Sequence, residues 1–204
     1  MNDEPATPRP ASTVILLRRG GKHSDRGLEV LFGKRTEEAS FMPGVWVFPG
    51  GAVDADELEA HSEDDAYKVC GAREVEEEVG LELQPGDLHQ WIRWITPEEV
   101  SVRFDTRFYV ALAPPHAAPE PDATEITEVA WMSPRVALDR NAAGEIELVF
   151  PTVKTLETLL PYASSDDALA AAAERGDEPI LPKVIGTRED WRVVLPGEPG
   201  YPED

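Results

Sequence analysis

Arg73 to Leu81 reads R-E-V-E-E-E-V-G-L, and the spacing of its acids suggests chemistry. On a helix turning about 100° per residue, Glu74, Glu77 and Glu78 fall at i, i+3 and i+4 and share one face. Ala72, Val75 and Val79 fall on another face, which can be buried. Three carboxylates in one stripe repel each other, and an ordinary solvated face would intersperse lysines to relieve them. Hard divalent cations bound through oxygen relieve the repulsion directly; Mg²⁺ is the most available, with Mn²⁺ as the substitute. Arg73 sits about one turn before Glu77 and can hold a carboxylate in a fixed rotamer. Gly80 stands where a left-handed C-cap would end the helix.

The elements around this stripe follow from apolar runs and breakers. Ser12–Leu17 reads as a strand, the polar stretch 20–27 as a hairpin loop and Leu28–Phe32 as the return strand. Six of the 19 basic residues lie in this region: Arg18, Arg19, Lys22, Arg26, Lys34 and Arg35. In so acidic a chain that concentration suggests a place for phosphates. In Phe41–Gly51 (FMPGVWVFPGG), Val45–Phe48 is strand-like between two Pro-Gly breaks. Residues 54–65 hold seven acids and few apolar anchors, and read as a loop or a short extra helix. The helical pattern runs from about Asp64 to Val79. Trp91–Ile95, Thr106–Leu112 and Glu128–Met132 read as strands, with a Pro/Ala-rich loop over 113–123. Pro134–Arg140 reads as a helix start, Pro151–Leu160 as a helix with Pro in its first turn, and Ser165–Arg175 as an Ala-rich helix. The tail from Pro179 carries five prolines and reads as irregular. Strands mixed with helices make this an α/β or α+β domain.

Composition bounds the function. The 204 residues carry 19 Lys+Arg against 40 Asp+Glu, a net charge of −21. The length suits one domain with a sizeable core, and 41% apolar content excludes wholesale disorder. The charge argues against a general nucleic-acid or anionic-membrane binder. A single cysteine, Cys70, excludes an intrachain disulfide and a Cys-cluster metal site, and fits a reducing compartment. No run approaches the roughly 18 apolar residues of a spanning helix. The acidic start MNDEPATPRP is no signal peptide, and residues 1–11 read as a disordered lead-in. These features predict a soluble, cytoplasmic protein.

The segment Arg73–Leu81 resembles the second half of the Nudix box, G-x5-E-x7-R-E-U-x-E-E-x-G-U with U aliphatic, and Phe48-Pro49-Gly50-Gly51 resembles its opening. One departure stands out. Arg73 follows Gly51 by 22 positions where the family has 14, so eight residues are inserted. Counted eight back from the arginine, the family's first glutamate falls on Asp65. The insertion is expected to adorn the site as a loop. FMPGVWVFPGG, FDTRFY at 104–109, Glu125–Trp131, the helix opening Pro151-Thr152 and LPGEPGY at 195–201 resemble one Nudix branch, which includes the kidney-type peroxisomal coenzyme A diphosphatase. The similarity spans residues 12–201.

The resemblance implies an α/β/α sandwich around a mixed β-sheet, as a single domain over 12–201 with a C-terminal helical extension at about 151–176. It implies hydrolysis of a nucleoside diphosphate linked to another group. Glu74, Glu77 and Glu78 match the box glutamates that bind metal, Gly51 the glycine whose carbonyl can join the shell, and Arg73 the orienting arginine. Nudix proteins often add one more acid from a loop beyond the box as ligand or general base. Glu125 is the leading choice here, ahead of Glu120 and Asp122. Arg35 leads the candidates for holding an anionic substrate, followed by Arg103 and Arg107. Lys34 joins them as an anchor for the 3′-phosphate of coenzyme A. Trp46, Phe104 and Tyr109 could stack on a base. His61, His89 and His116 lack a paired spacing for zinc, and Cys70 is expected to be a small buried hydrophobe.

Two readings follow. One is a Mg²⁺- or Mn²⁺-dependent diphosphatase, whose substrate could be coenzyme A or an acyl-coenzyme A, ADP-ribose, or a dinucleotide. The other is a catalytically silent Nudix domain that senses a nucleotide or scaffolds a partner. Silent members lose box glutamates, whereas all three are present here. The expected partner is a small-molecule nucleotide, with no nucleic acid and no membrane, and a homodimer is left open.

Overall fold

The computed structural model describes residues 5–19, 27–39, 42–187 and 190–202. Its central strand, β1 (Arg9–Arg19), turns Val14 and Leu16 to one side and Ile15 and Leu17 to the other, all four fully buried. An apolar run buried on both faces is what a strand between two helical layers requires. On one edge β1 pairs in parallel with β6 (Phe104–Leu112), from Arg9↔Phe104 to Leu17↔Leu112. Its other edge is shared. β2 (Leu28–Arg35) takes the far end at Leu17↔Val30, and β4 (Gly50–Ala52) takes the near end at Thr13↔Gly50, both antiparallel. β5 (His89–Ile95) runs antiparallel to β6, while β3 (Trp46–Val47) and β7 (Ile126–Met132) run antiparallel to β2. The sheet is therefore mixed.

Helices cover both faces. Between β4 and β5 lie α1 (Ala55–Ala60) and α2 (Glu63–Val79), and α2 packs Cys70, Val75 and Val79 against Val14, Leu16 and Tyr109. On the opposite face, α3 (Pro134–Ala142), α4 (Phe150–Leu159) and α5 (Ser165–Ala172) pack against Ile15, Leu17, Phe32, Trp91 and Trp94. Leu156 and Leu159 of α4 are fully buried, each contributing about 1.5–3 kcal/mol relative to exposure. Trp91 and Trp94 donate their indole N–H groups to Thr158 and Thr155 at 2.9 and 3.1 Å, which fixes α4 on β5. This is an α/β/α sandwich.

Several boundaries differ from the sequence reading. β1 begins at Arg9, not Ser12, because parallel pairing with β6 orders three further residues. Of the two alternatives for residues 54–65 the structure takes the short extra helix, α1, followed by the first turn of α2; Asp54 and Glu57 make a capping box and Ser62 caps the second helix. The helices read as an extension are the second layer of the core. The tail from Pro179 contains strands: β8 (Pro179–Ile180) joins the main sheet beside β5, and β9 (Lys183–Ile185) pairs with β10 (Arg192–Val194). Lys22, Arg26, Phe41 and most of the expected loop at 20–27 lie outside the described residues. No helix among the described residues is long and apolar enough to cross a membrane.

Candidate active site

The core side of the box helix α2 carries Ala66, Cys70, Gly71 and Ala72 beside Tyr67, Val75 and Val79, and at Gly71 it approaches β1 so closely that a Cβ would meet Ser12 and Val14. It ends at Gly80, whose φ of 69° is a left-handed conformation, with its N–H donating to the Glu76 carbonyl at 3.0 Å. The loop 113–124 is strapped to this end: Glu120 and Asp122 donate their N–H groups to the carbonyls of Val79 and Glu78, each at 3.1 Å. The Asp122 carboxylate accepts from the N–H groups of Thr124, Glu125 and Ile126, so it shapes the loop that carries Glu125.

Arg73 is the hub of the site. Its Nε donates to Glu57 Oε1 at 3.0 Å and its Nη2 to Glu57 Oε2 at 3.4 Å. Its Nη1 donates to Glu74 at 2.8 Å and to Glu77 at 2.9 Å. These partners raise its pKa, the Glu57 hydrogen bond most of all. Glu57 corrects the assignment of the first box glutamate to Asp65. Asp65 is exposed and occupied with Ser62, exchanging hydrogen bonds at the start of α2. Glu57 stands six positions after Gly51, which is G-x5-E counted forward from the glycine. The eight extra residues therefore fall between that glutamate and Arg73. Counting back from the arginine concealed this; counting forward would have found it.

Glu74 and Glu78 flank the Gly50–Gly51 turn. Glu78 is buried, and its Oε2 accepts the Gly50 N–H at 3.1 Å. Burial pushes its carboxyl up to about 8, with the charges of Glu74 and Glu125 adding to the rise and Gly50 and Arg35 opposing it. Burial also raises Glu74, against the pull of Arg73 and with the push of Glu77 and Glu125. Glu74 lies so close to Gly51 that a Cβ there would be 2.4 Å from its Oε1. Glu77 is more exposed. Glu125 is exposed on the loop, and its charge reaches both Glu74 and Glu78. Cys70 is buried behind the turn, and its thiol points at the carbonyls of Ala52 and Gly51 at 3.4 and 3.7 Å.

Among the described residues, no three acidic, His or Cys side chains are gathered into a ready-made metal cage. Arg73 holds Glu74 and Glu77 instead. The residues nonetheless fit a hard divalent cation. The donors are carboxylate and carbonyl oxygens, and burial raises the two carboxyls that flank the turn, so a cation seated beside them would restore their charged forms.

Beside the turn a cleft of about 340 Å³ opens, lined by Gly50, Gly51, Arg35, Phe48, Phe104 and Phe108 among others. Of the three candidate substrate arginines, only Arg35 is in it. Arg103 is buried and bonds the carbonyls of Thr96 and Ala6, at 3.0 and 2.7 Å, which ties the start of the chain to β6. Arg107 is buried on the other side of β6, over the Tyr67 ring and paired with Glu63 and Asp64. Lys34 pairs with Glu128 at 3.2 Å and Glu37 at 3.6 Å outside the cleft. These three are structural here, because in so acidic a chain most cations find carboxylates nearby. Trp46 and Tyr109 are core residues, whereas Phe104 stands at the cleft.

A three-layer sandwich with an arginine-anchored row of glutamates beside a glycine turn defines a hydrolase of diphosphate linkages. The chain belongs to the Nudix family: the NUDIX domain profile matches residues 7–151. It is 24% identical over 305 residues to the acyl-coenzyme A diphosphatase NUDT19 of Gallus gallus, covering 96% of this chain and 80% of that protein. Among solved structures, a NUDIX hydrolase from Alicyclobacillus acidocaldarius superposes with a TM-score of 0.70 at 26% identity, over 81% of this chain and 96% of that one. The NUDIX domain of Shewanella oneidensis NrtR, solved with ADP ribose, shares the fold with a TM-score of 0.55 at 18% identity, over 76% of this chain and 88% of that one.

Proposed function

We propose that the chain hydrolyses the diphosphate of coenzyme A or an acyl-coenzyme A, using Mg²⁺ or Mn²⁺ held by Glu74, Glu77, Glu78 and the Gly51 carbonyl, with Glu125 as a further acid. The single observation that carries the catalytic part is the carboxylate pair Glu74 and Glu78, set against the Gly50–Gly51 turn at the mouth of a cleft. When bound, the cation neutralises charge on the phosphates and lowers the pKa of a water that attacks phosphorus. Arg73 keeps Glu74 and Glu77 in place through one nitrogen, and Glu57 keeps Arg73. Arg35 offers positive charge in the cleft for the phosphate farther from the carboxylates. Glu125, exposed on its loop and near enough for its charge to act on Glu74 and Glu78, is our candidate for accepting a proton from the attacking water.

The substrate choice rests on resemblance to the acyl-coenzyme A diphosphatase. It is tested by a panel of coenzyme A, acetyl-coenzyme A, ADP-ribose and diadenosine polyphosphates with Mg²⁺ and Mn²⁺, with products identified by mass spectrometry. The expected products from coenzyme A are 3′,5′-ADP and 4′-phosphopantetheine. Faster cleavage of ADP-ribose than of coenzyme A would overturn the substrate and leave the diphosphatase standing. We place the protein in the cytoplasm, where its lone buried thiol meets no oxidant.

A further inference from the structure

The floor of the cleft comes from the parallel register of β1 and β6. Arg9 faces Phe104, Ala11 faces Thr106 and Thr13 faces Phe108, and all six line the cleft. Alternate residues of a strand share a face, so these three pairs form one continuous strip. The helices α4 and α5 cover Ile15 and Leu17 farther along the same face, and Pro151 and Thr152 at the start of α4 wall the cleft above this strip. Small residues hold its middle: Ala11 and Thr106, with Ala52 across from Ala11 on β4. The strip is thus a trough with two distinct ends.

At the near end, Thr13 pairs with Gly50, whose N–H is held by Glu78. The far end lies four strand residues away, about 13 Å at about 3.3 Å per residue. There the Phe104 ring is only partly buried, and the Arg9 guanidinium lies over it at 4.9 Å from the ring centroid. Arg9 is exposed and has no carboxylate partner among the described residues, although the chain carries a net charge of −21. Its backbone is fixed by its own N–H donating to the Arg103 carbonyl at 2.9 Å. Arg9 covers the Phe104 ring from the solvent side, and because it is exposed it can swing off the ring, yielding that face to a flat base and turning to an anion the base carries beside it. A nucleotide whose diphosphate lies at the glycine turn brings its base to that end.

We infer that Phe104 and Arg9 form the subsite for the nucleoside end of the substrate: the base stacks on Phe104, and Arg9 takes an additional phosphate carried on the ribose. This rests on the diphosphatase reading above. It assigns to Arg9 the anchoring role that Lys34, Arg103 and Arg107 are too committed to perform. Phe104 recognises any purine nucleotide, and Arg9 supplies the preference for a nucleoside bisphosphate.

The test is calorimetric binding of adenosine 3′,5′-bisphosphate and of AMP to the full chain with Mg²⁺. The wild type should bind the bisphosphate at least about 5-fold more tightly, since a phosphate–arginine pair is charge-assisted. Arg9→Gln, at an exposed position, should erase that preference by bringing the affinity for the bisphosphate down to that for AMP. Phe104→Leu should weaken both ligands alike, by about 5- to 100-fold, the range of base–aromatic stacking. Phe104→Tyr should retain the wild-type affinities, and it replaces the Leu variant if that one fails to fold. Equal affinities in the wild type, a preference surviving Arg9→Gln, loss of binding in Phe104→Tyr, or no binding of either ligand at millimolar concentration would overturn the inference. Binding is read without turnover, so hydrolysis of the substrate panel succeeds or fails independently.

Discussion

Arg73 is gripped by Glu57, sixteen residues earlier in the chain and on a different helix, through Nε at 3.0 Å and Nη2 at 3.4 Å. The Glu57 side chain is only 10% exposed, so this pair joins α1 to the box helix and sets the rotamer of the arginine that holds Glu74 and Glu77.

Glu57→Ala should therefore cost both stability and rate. A charge-assisted hydrogen bond to a mostly buried partner is worth about 1.5–3 kcal/mol, and urea denaturation should show a loss of that order. Two deletions separate this role from that of the extra residues. Removing 54–61 takes out Glu57 and should abolish activity. Removing 58–65 keeps Glu57 and restores the seven-residue spacing to Arg73, and should leave more activity. Equal damage from both would show that the length of the insertion matters and the Glu57–Arg73 pair does not.

Gly51→Ala should disturb the site more than the fold. The added Cβ would lie 2.4 Å from Glu74 Oε1 and 2.6 Å from its Cδ, so Glu74 or β4 must move. Overpacking of this kind costs about 1–3 kcal/mol. Steady-state kinetics should show kcat reduced at least about 10-fold, because misplacing a catalytic group by an ångström has that effect or more. Wild-type kcat in this variant would mean that Glu74 is not required against the turn.

Glu77→Gln and Glu78→Gln should separate activity from stability. Both should lose at least about 10²-fold in kcat with saturating Mg²⁺, because metal activation supplies most of the chemistry. The Glu77 side chain is 59% exposed, so its substitution should leave the melting temperature unchanged. Glu78 is buried with one N–H donor, which a Gln oxygen can still accept. Its neutral replacement should fold at least as stably as the wild type without metal at neutral pH, since the native carboxyl must hold a proton well above its ordinary range and the amide need not. Near-wild-type turnover in either variant would refute the metal assignment.

Gly71→Ala should destabilise the protein although alanine is the better helix former by about 1 kcal/mol. A Cβ at Gly71 would meet Ser12 Oγ at 2.7 Å, Val14 at 2.9 Å and Leu88 at 3.0 Å, where α2 crosses β1. We expect a net loss of about 1–2 kcal/mol by thermal or urea unfolding. A stabilised variant would show that the helix can lift away from the sheet without cost.

Cys70 should resist alkylation in the native protein. The residue is fully buried, and burial pushes its thiol up to about 12, with the nearby charges of Glu57 and Glu74 adding to the rise. At pH 8 almost none is thiolate, and iodoacetamide should react only after denaturation. Fast labelling of the folded protein would mean that α2 opens from the turn.

Much of this site is a local property of the chain. Glu74, Glu77 and Glu78 share a face because a helix repeats every 3.6 residues, and Gly80 ends that helix because a glycine takes the left-handed conformation freely. Strands β1, β2, β3, β5, β6 and β7, the box helix and the α4 helix were legible from apolar runs and breakers for the same local reason, whereas β4 and the short strands of the tail were not. Other features depend on partners distant in sequence. Nothing near Arg9 marks it as part of a strand; the parallel register with Phe104 does that. Arg35, Arg103 and Arg107 look alike as basic residues, yet only the packing decides which one faces the cleft and which are consumed by Thr96, Ala6, Glu63 and Asp64. The helices over about 151–176 read as an extension in sequence and pack into one of the two core clusters in space. The order of residues determined which groups could do the chemistry, through short-range periodicity and conformational preference. Tertiary structure alone decided which of them meet, because burial and ion pairing join residues that the chain separates by dozens of positions.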